Sequence, residues 1–194
     1  MKSFLFLFFL IPTFTIAKNV KSPYVKQKNN QIKAITQNDL EGLEKGSGMP
    51  FGGMAKAAEL NGLPGPRHVL DMEEEIQLSK TQKKQVAEIF EKMNREARKW
   101  GAELIEIERL MDTKMKTGEI KSGSLQRLVR QSAIKYGELR FSHLVAHLET
   151  AKVLSKDQVQ IYNKVRGYGD GDPCNNIPPG HPVEMWKKHH GCEP

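Results

Sequence analysis

The chain has 194 residues, with 30 lysines and arginines against 23 acidic residues, a formal charge of +7 and two cysteines. That length allows one domain with a modest core. The basic residues do not form a concentrated patch interleaved with aromatics, so nucleic acid is not an expected partner.

The first segment reads as a signal peptide over residues 1–17. Lys2 is a short basic region, Phe4 to Phe14 form an apolar core, and Thr15-Ile16-Ala17 supplies small-residue cleavage before Lys18. The apolar run is shorter than the ~20 residues needed to span a bilayer, and no later stretch approaches that length. The expectation is an exported, periplasmic protein with no stable membrane insertion, the other reading of this segment being an uncleaved anchor. Residues 18–53 follow as a polar and then glycine-rich leader, ending in GSGMPFGGM. They have no sustained apolar period and are expected to be flexible. Half of the positive excess of the exported chain lies here, with six lysines at 18–45 against Asp39, Glu41 and Glu44.

MAKAAEL (54–60) is a short helix stopped by Asn61-Gly62. Pro64-Gly65-Pro66 makes a turn, with Pro66 placed for the first turn of a second short helix. LSKTQ at 78–82 then returns as LSKDQ at 154–158. Each contains a serine followed three residues later by glutamine, the pattern of a capping box. Ser79 with Gln82, and Ser155 with Gln158, therefore start helices. Leu78 and Leu154 sit outside each cap as apolar staples. Each cap contributes about 1 kcal/mol.

After the first box, Val86, Phe90, Met93, Ala97, Trp100, Leu104, Ile107 and Met111 step by three or four, one apolar stripe of a long helix. Gly101 interrupts helix propensity but not the stripe. Thr117-Gly118 to Ser122-Gly123 is a break. A second long helix carries Leu125, Leu128, Ser132, Tyr136, Leu139, His143, Ala146, Thr150 and Val153 on one face. The second box opens a short helix, VQIYNKVRGY. No segment alternates as a strand does. The fold class is all-α, a long antiparallel helical hairpin with short flanking helices. So thin a hairpin has little interior, and a homodimer is expected to cover part of the stripe.

Two L-[ST]-x-x-Q boxes that open helices in an exported helical chain resemble the Spy/CpxP family, known for its LTxxQ motif. AELNGLPGPRHVL (58–70) and HLVAHLETAKVLSKDQ (143–158) are similar to the branch identified as periplasmic heavy-metal sensors. The likeness covers residues 54–168, with serine where the family more often has threonine. It implies a cradle-shaped dimer acting without ATP as a chaperone or envelope-stress protein, with unfolded or misfolded proteins as partners. It also implies an envelope-stress or metal-signalling partner. The residues agree with a non-enzyme: there is no phosphate loop, C-x-x-C pair, nucleophile elbow or Ser/His/Asp set, and Asp170-Gly171-Asp172 is too short for a calcium loop.

His143 and His147, four apart on a helix, project to one side. The spacing suits zinc, nickel, cobalt or copper. Folding the hairpin about residue 118 brings His143 near Met93 and His147 near Ile89. His68 is a third candidate ligand, with Glu88 or Met93 as a further one. The sensors draw ligands from the matching late stretch of this helix, but their first-helix histidine pair is reduced here to His68. The other reading is two hydrogen-bonded histidines in a semi-polar core or dimer seam. No cofactor is required by the sequence. In the tail, Cys174 and Cys192 form either a disulfide or a zinc or copper site with some of His181, His189 and His190. This tail, residues 169–194, is too rich in proline and glycine to be expected as helix. Trp186 and Met185 are expected to pack it onto the hairpin. Arg67 is expected to hold its short helix through a carboxylate or helix end, or to be a solvated charge.

Overall fold

The computed structural model describes residues 21–47, 53–168, 174, 177 and 182–192. Seven α-helices and no strand occur among them: α1 (Gln37–Lys45), α2 (Lys56–Glu59), α3 (Pro66–Asp71), α4 (Lys80–Lys116), α5 (Ser122–Val153), α6 (Lys156–Val165) and α7 (Val183–His190). The segment read as a signal peptide, residues 1–17, lies outside the described residues. No described helix is long and apolar enough to cross a membrane.

The hairpin of α4 and α5 forms as the apolar stripes require. With 37 residues, α4 is about 55 Å long. Val86, Met93, Ala97 and Leu104 of its stripe are buried, as are Leu128, Leu139, His143, Ala146 and Thr150 of α5. Gly118 ends α4 at φ +71°, a left-handed conformation that favours glycine. Ion pairs Glu103–Lys135 (2.7 Å) and Lys92–Glu149 (3.2 Å) tie the two helices along their length.

The leader departs from expectation. Within the stretch read as flexible, residues 18–53, Ile32, Ile35, Leu40 and Leu43 are all at most 4% exposed. They share one core with Met54, Ala97, Leu104, Ile105 and Leu139. Ile32 and Ile35 belong to a turn and Leu40 and Leu43 to α1, so no single period links the four. Thr36 caps α1, accepting the Asp39 N–H at 3.1 Å. α1 lies antiparallel on α4, with Leu43 over Gly101 and Gly46 against Asn94 and Arg98. A β-carbon on Gly101 would stand 2.6 Å from the Leu43 carbonyl oxygen. The glycine that weakens α4 is thus what lets α1 dock.

A second core, of Val69, Ile76, Val86, Leu154 and Tyr162, joins α3 and α6 to the start of α4. The tail also differs from expectation. Val183–His190 is helical, because that stretch holds no proline or glycine and is bounded by Pro182 and by Gly191 at φ +67°. Trp186 is buried as expected, whereas Met185 is 63% exposed. Cys174 and Cys192 are joined by a disulfide.

Candidate functional site

The two repeated boxes meet each other. Both are complete locally: Gln82 and Gln158 N–H groups donate to Ser79 and Ser155 Oγ (3.2 Å each), and the glutamine Oε1 atoms accept the serine N–H groups in return. The two side-chain amides then pair. Gln82 Nε2 donates to Gln158 Oε1 at 2.8 Å, and Gln158 Nε2 donates to Gln82 Oε1 at 3.1 Å. The remaining donors go to backbone carbonyls, Gln82 to Val153 (2.9 Å) and Gln158 to Ile76 (3.3 Å). Each amide therefore uses both its donors and accepts twice. The pair locks the start of α4 to the start of α6. Gln77, at φ +55°, turns the chain into the first box.

Beside this lock lies a polar network with no sequence expectation behind it. Tyr162 is fully buried, and its hydroxyl donates to the Glu59 carboxylate at 2.7 Å. The same hydroxyl accepts from Gly65 N–H at 3.4 Å. Arg166 donates to Glu59 at 3.3 Å, and His68 Nε2 lies 3.7 Å from it. One carboxylate on α2 thus holds α3 and α6. Burial, then the Glu59 charge, pushes the Tyr162 phenol well above its ordinary pKa. The faint sequence signals were a lone glutamate in MAKAAEL and an arginine four residues after Tyr162. Their separations of 103 and 107 residues hid the partnership.

Of the three candidate metal ligands, His147 lies within electrostatic reach of both His68 and His143. His143 is 2% exposed, and its Nε2 is buried with no hydrogen-bond partner among the described residues. Burial, and then His147, lowers its pKa to about 4. His147 Nδ1 is 2.8 Å from the Leu63 carbonyl, donating to it in that tautomer. Its ring packs so closely on Gly65 that a β-carbon there would be 2.8 Å away. His68 is half-buried, and burial, then Arg166, lowers its pKa. No three His, Cys, Asp or Glu side chains among the described residues converge as a metal site. Met93 instead lines the groove described next, and Glu88 is exposed. In the tail, the disulfide engages both cysteine sulfurs. His181, the His189 and His190 side chains and the Asp170-Gly171-Asp172 stretch lie outside the described residues. Arg67 meets a carboxylate, Asp71, at 3.0 Å and lies over Phe90.

A groove of about 270 Å³ runs between α4 and α5, floored by Ile89, Met93, Trp100, Val145 and Ala146 and bordered by Phe141. Phe141 is 63% exposed. The rim is charged: Lys92 pairs with Glu149, while Glu96 and Glu138 have no ion-pair partner among the described residues. Lys99 and Lys135 lie over the Trp100 ring at 4.2 and 4.8 Å. Along α5, Ile134, Phe141 and Leu148 repeat every seven residues and are all exposed. The chain matches no protein-family model, no curated protein and no solved structure.

Proposed function

We propose that this is an exported, ATP-independent chaperone-like or envelope-stress protein of the Spy/CpxP kind. It binds unfolded or partly folded proteins and shields their apolar segments, as a homodimer in the periplasm. The observation that carries this reading is the groove between α4 and α5, with an apolar floor and a charged rim. Apolar surface of this kind on a rigid hairpin gives weak, sequence-tolerant contacts, and the charges keep the open face soluble. The paired LSxxQ boxes support the family reading, because they brace the base of the hairpin through two hydrogen bonds between glutamines. The test is light scattering from a reduced or denatured client. Stoichiometric protein is expected to suppress aggregation, and Ile89→Ser with Val145→Ser to weaken that suppression while leaving helicity intact. Aggregation unchanged by the wild-type protein rejects the reading.

A second reading, a transition-metal sensor or metal-binding protein of the same kind, is favoured by one observation. His143 Nε2 is buried without a partner among the described residues, on the face it shares with His147. Zinc, nickel, cobalt or copper at a hundred times the dissociation constant would then stabilise the protein by about 2.7 kcal/mol. His143→Ala with His147→Ala would abolish that shift. Metal affinity unchanged by the double substitution rejects this reading.

A further inference from the structure

The positive charge of the chain is concentrated in two segments. Residues 21–33 carry four lysines and no acid, and residues 112–130 carry five basic and two acidic side chains. Their net charge equals the +7 of the whole chain, so the remaining residues sum to zero. The fold joins these two segments at Lys33. The Lys33 backbone N–H donates to Asp112 at 3.2 Å, four residues before the end of α4 at Lys116, or about 6 Å from the hairpin tip. None of the nine basic side chains is in an ion pair among the described residues, and all but Lys114 are exposed. Set among them are exposed apolar side chains: Tyr24 (69%), Val25 (59%), Met115 (52%) and Val129 (50%).

We propose that the hairpin tip and the leader together form a docking surface for an anionic membrane, on which the hairpin stands tip-down. Charge alone would suit any polyanion. The exposed Tyr24, Val25, Met115 and Val129 favour a lipid surface. Met115, in the last turn of α4, and the exposed leader side chains can enter the headgroup–acyl boundary, while lysine stems snorkel to the phosphates. The proposal is independent of the client-binding reading: a protein that ignores vesicles would still suppress aggregation if its groove binds clients.

The test is flotation of the chain from Lys18 onward, which keeps every described residue. The vesicles are phosphatidylcholine alone or mixed with phosphatidylglycerol. Binding is expected to the anionic vesicles only, at low salt, and to be lost at high salt. Each lysine near the surface is worth about fivefold in partitioning, so Lys114→Glu, Lys116→Glu and Lys121→Glu together should cost roughly a hundredfold or more. Tyr24→Ser with Met115→Ser should weaken binding severalfold at unchanged charge. Arg95→Glu with Arg98→Glu, which alters a basic pair in the cleft beside α1, should change it far less. Circular dichroism checks that each variant is folded. Equal binding to neutral vesicles overturns the proposal, as does an equal loss from the Arg95 and Arg98 variant. Insensitivity to the Tyr24 and Met115 variant, with full competition by a soluble acidic protein, would reassign the surface to a protein partner and also overturn it.

Discussion

Gln82 and Gln158 do more than cap. A capping box accepts glutamate in place of glutamine at its third helical position. A purely local role therefore predicts that Gln158→Glu changes stability by no more than about 0.5 kcal/mol. The amide pair predicts otherwise: glutamate loses the donors to Gln82 Oε1 and the Ile76 carbonyl and faces both with negative charge. The expected loss is about 2 kcal/mol in urea unfolding at neutral pH. His143 sets a second residue-scale prediction. Its pKa falls from 6.5 to about 4 on folding because the imidazole is buried and beside His147. The proton thus prefers the unfolded chain. The neutral buried ring contributes fully above pH 6.5, and stability declines as pH falls from about 6.5 to about 4, by roughly 3 kcal/mol in all. His143→Leu should remove this slope, seen as a smaller difference in Tm between pH 7 and pH 5.

At the scale of elements, the hairpin is a scaffold to which short helices are fastened at particular points. α1 depends on Gly101, α2 and α3 on Glu59 and Tyr162, and α6 on the glutamine pair. Gly101→Ala should raise intrinsic helix propensity by about 1 kcal/mol yet force Leu43 off α4. The net expectation is a loss of about 1–3 kcal/mol, with faster amide exchange in α1 than in the wild type and little change in α5. Gly137→Ala is the matched comparison. No described atom outside its own stretch of helix backbone lies within 4 Å of its missing β-carbon, so the propensity gain of about 0.5–1 kcal/mol should be realised. If both alanines behave alike in thermal unfolding, close approach of α1 is not the reason for Gly101.

For the molecule as a whole, the exposed heptad Ile134–Phe141–Leu148 is the edge along which two copies would pair in the proposed dimer. Sedimentation is expected to give twice the chain mass at micromolar concentration. Ile134→Glu with Leu148→Glu is expected to return the monomer without loss of helicity. A wild-type protein that stays monomeric would leave this edge to clients rather than to a second copy.

The all-α hairpin was legible because its information is local. Apolar residues spaced by three and four, two capping boxes and a glycine break act over a turn or two of helix, and their register on α4 and α5 follows from the chain alone. The disulfide was likewise one of two readings open to a pair of cysteines. What the sequence hid depends on contacts between distant residues. Ile32, Ile35, Leu40 and Leu43 have no common period, since they enter one core from a turn and a helix. Glu59 meets Tyr162 across 103 residues. The repeated pentapeptides announced two helix starts. Only the folding of α4 against α5, which carries the ends of a 76-residue separation together, decided that their glutamines would bond to each other. The same tertiary packing set a His147 ring nitrogen against the Leu63 carbonyl and left His143 Nε2 buried with no partner among the described residues.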